Sequence, residues 1–219
     1  IEMVGLAFKR FLEWVEQLFQ PKSVDRATIF SKVGKKYADK GHVDQAIASL
    51  KKAIELNPSD GEVYYKLGLA YSKKGLWDDA IACYKKILKL QSSGALSRAF
   101  NKAEIYFCLG LAYNKKNVID KAIDSYRKSL RIFPEQPETY YRLGLLYDKE
   151  KMHNQSIEAY EKAIELSPRA AKYYYSLGLA YDGNGEHNKA IDAFRKAMEA
   201  EETDSVSYTH LRAHETVLD

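Results

Sequence analysis

The sequence predicts an all-α protein, a right-handed superhelical α-solenoid of five helix–turn–helix repeats preceded by an N-terminal amphipathic helix. Three observations lead there. Five strings of one pattern recur: FSKVGKKY from Phe30, YYKLGLAY from Tyr64, YFCLGLAY from Tyr106, YYRLGLLY from Tyr140 and YYSLGLAY from Tyr174. Their glycines, Gly34, Gly68, Gly110, Gly144 and Gly178, lie 34, 42, 34 and 34 residues apart, and a fixed period near that length marks stacked repeats. The chain also holds 17 Tyr in 219 residues, a count that repeated fixed positions explain.

Composition excludes other classes. At 46% hydrophobic and 29% charged, with 12 Gly and 5 Pro, the chain is neither collagen-like nor low-complexity, and it has apolar mass for a core. Its net charge of +4 comes from interspersed residues, without the basic arm of a nucleic-acid binder. Two cysteines, Cys83 and Cys108, are too few for a disulfide framework and point to a reducing compartment.

Residues 1–26 are expected to form an amphipathic helix and a linker. Phe8, Phe11, Leu12, Val15 and Phe19 share its broad apolar face, while Lys9, Arg10, Glu13 and Glu16 rule out a simple membrane span. Three roles stay open for it: a cap over the first repeat, which stacked repeats need for solubility, a self-assembly or partner helix, and a helix lying on a membrane surface.

The repeats are expected at 27–60, 61–94, 103–136, 137–170 and 171–204. Counting positions from Ala27, Gly61, Ala103, Pro137 and Ala171, each first helix carries an aromatic, Leu or Val, Gly and Tyr at positions 4, 7, 8 and 11, which is one helical face. A turn follows at Gly41, Gly75, Asn117, Lys151 and Gly185. Each second helix carries a small residue at position 20 (Ala46, Ala80, Ala122, Ser156, Ala190) and a large one at position 24 (Leu50, Tyr84, Tyr126, Tyr160, Phe194). Gly at position 8 and the small residue at position 20 are expected where the paired helices approach closely. The tyrosines are expected to reach solvent with their hydroxyls at the repeat seams. Pro58, Pro134 and Pro168 close three units, because proline cannot continue a helix interior.

Two segments break the period. Residues 91–102, QSSGALSRAFNK, hold an eight-residue insert, in which Ser92-Ser93-Gly94 breaks the chain and Ala95 to Lys102 extends the next helix backwards. The insert reads either as a tolerated surface loop or as a contact element using Leu96 and Phe100. Residues 206–216, VSYTHLRAHET, match the translation of a transposase adapter used in shotgun DNA sequencing. Residues 205–219 are therefore expected to be adapter-derived, and with Ile1 at its start the chain reads as part of a longer reading frame.

This pattern of aromatic, Leu-Gly, Tyr, Ala, aromatic and Pro over 34 residues resembles the tetratricopeptide repeat family across residues 27–204. Ser156 in place of Ala, the missing proline of the second repeat, and Phe30 with Val33 depart from it. The apolar N-terminal segment, YYKLGLAY, and GLAYDGNGEHNKAI running into KAMEAEE also resemble the tetratricopeptide scaffolds of bacterial magnetosomes. That resemblance implies a small soluble protein coating the cytosolic face of an organelle by self-association.

The family likeness implies a ligand groove lined by positions 2, 5, 9, 12 and 13 of the first helices. Carried over residue by residue, the groove set is Tyr65, Leu69, Lys73, Phe107, Leu111, Asn114, Tyr141, Leu145, Asp148, Tyr175, Leu179 and Asp182. Leucine at position 9, where many members place a backbone-binding Asn, makes an apolar stripe beside the aromatics of position 5, and exposed stripes of this kind mark binding surfaces. The clamp for a C-terminal carboxylate is missing, since its Lys and Asn positions hold Ser31 and Lys35 or Tyr65 and Leu69. An amphipathic helix or extended apolar peptide is the expected ligand.

No catalytic, cofactor or metal constellation stands out. His42, His153 and His187 each fall in a turn of a different repeat without zinc spacing, and the single mid-helix glycines form no phosphate loop. The expected function is a non-catalytic, cytoplasmic protein-interaction scaffold, with possible homo-oligomers through the N-terminal helix and no nucleic-acid partner. The alternative is a substrate-recruiting or regulatory module of a larger enzyme such as a glycosyltransferase.

Overall fold

The computed structural model describes residues 23–94 and 101–200. All regular structure there is helical: α1 (Ser23–Asp39), α2 (Val43–Leu56), α3 (Gly61–Lys74), α4 (Trp77–Ser92), α5 (Lys102–Lys115), α6 (Ile119–Ile132), α7 (Pro137–Lys149), α8 (His153–Leu166), α9 (Ala171–Gly183) and α10 (residues 187–200). The amphipathic segment at 3–19, Leu96 and Phe100 of the insert, and the adapter-like tail lie outside the described residues.

The chain forms two compact units, divided between Phe100 and Asn101. In the first, α1 packs on α2, α3 on α2 and α4 on α3. In the second, α5 to α9 pack each on the next. Within each unit the elements are antiparallel helix pairs stacked side by side, as the repeat period predicts.

Every turn inside a pair is built alike. Gly41, Gly75 and Gly185 have φ of 80°, and Asn117 and Lys151 have φ of 60° and 58°. This left-handed residue lets the next N–H turn back to the carbonyl of position 11: His42 to Tyr37 at 2.9 Å, Leu76 to Tyr71 at 2.9 Å, Val118 to Tyr113 at 2.9 Å, Met152 to Tyr147 at 2.8 Å and Glu186 to Tyr181 at 2.9 Å. Helix-end carbonyls are thereby satisfied in the Schellman manner. At the other end, α2, α6 and α8 stop two residues before Pro58, Pro134 and Pro168. Asp60 caps α3 by accepting from the N–H groups of Glu62 and Val63 at 3.0 and 3.2 Å.

Asn101 corrects one expectation. Its side chain accepts from the Ala103 N–H at 3.1 Å and caps α5, so the helix begins at Lys102 and does not run back continuously to Ala95. An Asn that bonds the backbone beyond it offers a competing partner to the ladder and starts a helix better than it continues one.

The core explains the small residues, with one change. Ala46, Ala80, Ala122, Ser156 and Ala190 at position 20 are buried. The position 8 glycines, however, make room chiefly for the large residue at position 24. A Cβ on Gly68 would lie 2.6 Å from Tyr84 Cε1, one on Gly110 2.5 Å from Tyr126 Cε1, and one on Gly178 2.5 Å from Phe194 Cε1. Gly34 faces Leu50 in the same way.

Candidate functional site

The groove residues of position 5 are seam residues first. Each lies against the large residue at position 24 of its own pair: Tyr65 on Tyr84 with ring centroids 6.5 Å apart, Phe107 on Tyr126 at 5.9 Å, Tyr141 on Tyr160 at 5.9 Å and Tyr175 on Phe194 at 5.6 Å. Within the second unit the following helix covers them. Arg142 of α7 places its guanidinium 5.8 Å from the Phe107 ring, and Lys172 of α9 places its ammonium 5.0 Å from that of Tyr141. The Tyr173 ring adds a contact to Tyr141 at 5.0 Å. Glu138 ties the two cations together, bonding Arg142 and Lys172 at 2.8 Å each. Phe107 and Tyr141 are consequently half-buried; Tyr65 of the first unit is half-buried too, and Tyr175 is exposed.

Position 9 behaves differently. Leu69, Leu145 and Leu179 are 42%, 41% and 49% exposed, while Leu111 is half-buried. In the second unit Leu145 and Leu179 therefore form an open apolar face on neighbouring first helices. Lys73 of the first unit is exposed.

Position 12 supplies the polar edge. Asp148 accepts from the Tyr160 hydroxyl at 2.6 Å through Oδ2, and its Oδ1 is buried without a hydrogen-bond partner. Asp182 is exposed and pairs with His187 at 2.7 Å. Asn114 is half-buried. The position 24 hydroxyls are thus turned inward, against the expectation that they reach solvent. Tyr84, Tyr126 and Tyr160 are fully buried, because the glycine opposite lets each ring sink between the paired helices. The Tyr84 hydroxyl lies 3.2 Å from Ser72 Oγ. The Tyr126 hydroxyl is buried without a hydrogen-bonding partner, and the Arg142 charge beside it opposes the upward push that burial gives its pKa. Burial, reinforced by the bond to Asp148, also holds the Tyr160 pKa well above the ordinary tyrosine value.

Sequence reasoning placed Glu138 and Lys172 in the position 2 row of the groove without giving either a role, and it missed Arg142 and the packing of Tyr173.

Little here supports covalent chemistry. Burial pushes the Cys83 thiol to about 12, which removes the thiolate a nucleophile needs, and Cys108 is buried too. No group of three or more His, Cys, Asp or Glu that could hold a metal ion occurs among the described residues. His153 is half-buried at the start of α8 and so is not the surface turn residue its position predicted; its ring sits against Gly183, where a Cβ would meet Cε1 at 2.8 Å. No described helix is long and apolar enough to cross a membrane.

Comparison with known proteins rests on this geometry. Tetratricopeptide repeat models match residues 34–75, 60–135, 137–169 and 171–204. A crystal structure of MamA protein is 36% identical, with a TM-score of 0.74, over 82% of this chain and 94% of that one. The chain belongs to the tetratricopeptide repeat family. Within that family it resembles MamA. MamA from residue 41 onward of Desulfovibrio magneticus RS-1 is 26% identical, with a TM-score of 0.74, over 82% of this chain and 97% of that one. YrrB, described as a TPR protein with an unusual peptide-binding site, shares the fold at 18% identity and a TM-score of 0.66. Curated protein sequences give no match. As a tetratricopeptide repeat protein the chain is an all-α solenoid of the protein-interaction class.

Proposed function

We propose that this protein is a non-catalytic, cytoplasmic scaffold that binds an apolar helix or extended peptide across its first helices. The observation that carries this reading is the exposure of Leu145 and Leu179 beside the carboxylates of Asp148 and Asp182. A bare leucine face flanked by charge pairs apolar contact with registration of a polar edge. Leu69 offers the same apolar contact in the first unit, flanked there by the cation of Lys73, and Leu111 with Asn114 a less exposed version in the second. Tyr65, Phe107, Tyr141 and Tyr175 shape the floor of the surface more than they contact the ligand.

Self-association is the use of that face implied by the resemblance of its strings to magnetosome scaffolds, with the 3–19 segment of a second copy, through Phe8, Phe11, Leu12, Val15 and Phe19, as the segment bound. A synthetic peptide of residues 1–20 tests this by fluorescence anisotropy. Leu145→Asp with Leu179→Asp should weaken its binding at least tenfold while helicity and melting stay unchanged. Equal affinity for wild type and double variant would refute the groove.

A further inference from the structure

The fourth and fifth repeats share a pair of residues that the others lack. The first three repeats combine Ala38, Ser72 and Asn114 at position 12 with Val43, Trp77 and Ile119 at position 17. The last two combine Asp148 with His153 and Asp182 with His187. Carboxylate and imidazole thus enter together, one near the end of a first helix and the other at the start of the second.

In the fifth repeat the pair is made, with His187 Nδ1 2.7 Å from Asp182 Oδ1. In the fourth the same two atoms, Asp148 Oδ1 and His153 Nδ1, are both buried without a hydrogen-bond partner. Position 24 accounts for the difference. Phe194 has no hydroxyl to offer Asp182, whereas the Tyr160 hydroxyl donates to Asp148 Oδ2 at 2.6 Å. That bond engages one carboxylate oxygen and leaves the other open. The His153 ring rests against Gly183, where a Cβ would meet Cε1 at 2.8 Å. Gly183 stands at position 13, which carries Asp39 or a lysine in every other repeat, so its bare backbone makes the seat for the ring.

The neighbouring charges are engaged or exposed. Helix α8 packs on α7 and α9, which bring Asp148, Lys149 and Asp182 to this end of the repeat. Lys149 bonds Asn117, and Asp182 pairs with His187. Glu186 bonds Lys189 and Asn184, and Asn184 also bonds Asn154 beside His153 at 3.2 Å. Glu150 and Lys151 of the turn and Glu158 of α8 are exposed. Asp148 and His153 also sit at unfavourable helix ends, in the last turn of α7 and at the first residue of α8. A helix dipole disfavours an anion at the one and a cation at the other, so each charge gains from meeting the other.

We propose that Tyr160, Asp148 and His153 form a proton-operated latch within the fourth repeat: on taking up a proton, His153 donates through Nδ1 to Asp148 Oδ1, while Tyr160 keeps Oδ2. A neutral imidazole has a single N–H and can hold it on Nε2, whereas the protonated ring carries a donor on both nitrogens. The latch works over the range in which histidine exchanges its proton, about pH 5 to 8. Only the protonated ring makes the bond, so its contribution to stability is present at low pH and is lost as the pH rises through that range. It needs neither a ligand nor a second copy, so it stands apart from the groove.

Histidine side-chain NMR of the isotope-labelled full chain tests it. His153→Ile, which copies Ile119 of the third repeat, marks the His153 signal by its loss. At about pH 5.5 the wild type should show a His153 Nδ1–H proton that is shifted downfield and slow to exchange, and at about pH 8 that signal should be gone. Asp148→Asn, whose side-chain oxygen can still accept from Tyr160, should remove it at both. A His153 ring without that proton at the lower pH, a signal of equal strength at the higher, or one that survives in Asp148→Asn overturns the proposal. Urea unfolding gives a second reading. Acidification from about pH 8 to about pH 5.5 should lower the urea midpoint of His153→Ile more than that of the wild type. Equal losses, or a larger loss in the wild type, overturn the latch as well.

Discussion

A methyl group placed on Gly144 would fall 2.5 Å from Cε1 of Tyr160. The Tyr160 ring is fully buried, so it has nowhere to retreat. Replacing a helical Gly by Ala normally stabilises by about 1 kcal/mol. Here the overpacking cost of about 1–3 kcal/mol opposes that gain. Gly144→Ala should lower the melting temperature, measured by circular dichroism at 222 nm, although the helix propensity of α7 rises.

Lys151 holds a left-handed conformation at φ 58° where three of the other turns place Gly. A side chain with a Cβ pays about 1–2 kcal/mol there, partly balanced by the freedom glycine adds to the unfolded chain. Lys151→Gly should raise stability by about 0.5–1 kcal/mol in urea unfolding. Lys151 is exposed, and the turn bonds from Lys151 and Met152 to Asp148 and Tyr147 are backbone bonds, so the variant keeps them.

Buried tyrosines make the protein alkali-sensitive. Burial raises the pKa of Tyr126, and burial followed by the bond to Asp148 raises that of Tyr160. In the unfolded chain both ionise near pH 10. The folded state keeps them neutral, so their contribution is present in full below about pH 10 and is lost as the pH climbs above it. The urea midpoint should begin to fall as the pH passes about 10 and keep falling above it, more gently in Tyr160→Phe. At pH 7 the same variant should lose about 1.5–3 kcal/mol, because Asp148 loses the donor to its carboxylate.

The repeat register was legible because its signals are local. The period of the glycines gave the pairs, and alignment marked Asn117 and Lys151 as turn residues without a glycine to show it. What stayed hidden depends on packing across repeats. Tyr141 and Leu145 stand four residues apart on one helix, yet Tyr141 is roofed by Tyr173 and Lys172 while Leu145 is open. No pattern within a single repeat distinguishes them. Tyr173 was hard to read for another reason: position 3 holds Val63, Ile105 and Thr139 elsewhere, so its ring is a local choice outside the repeat pattern.

Glu138 bonds one cation on its own helix and another on the helix of the following repeat. Its counterpart one repeat earlier, Glu104, is the same residue at the same position. Excising residues 137–170 would therefore bring Lys172 against a glutamate again, and Tyr173 against Phe107 in place of Tyr141. A 34-residue module of the second unit could therefore be lost or repeated and leave a joint whose charges and rings are already complementary.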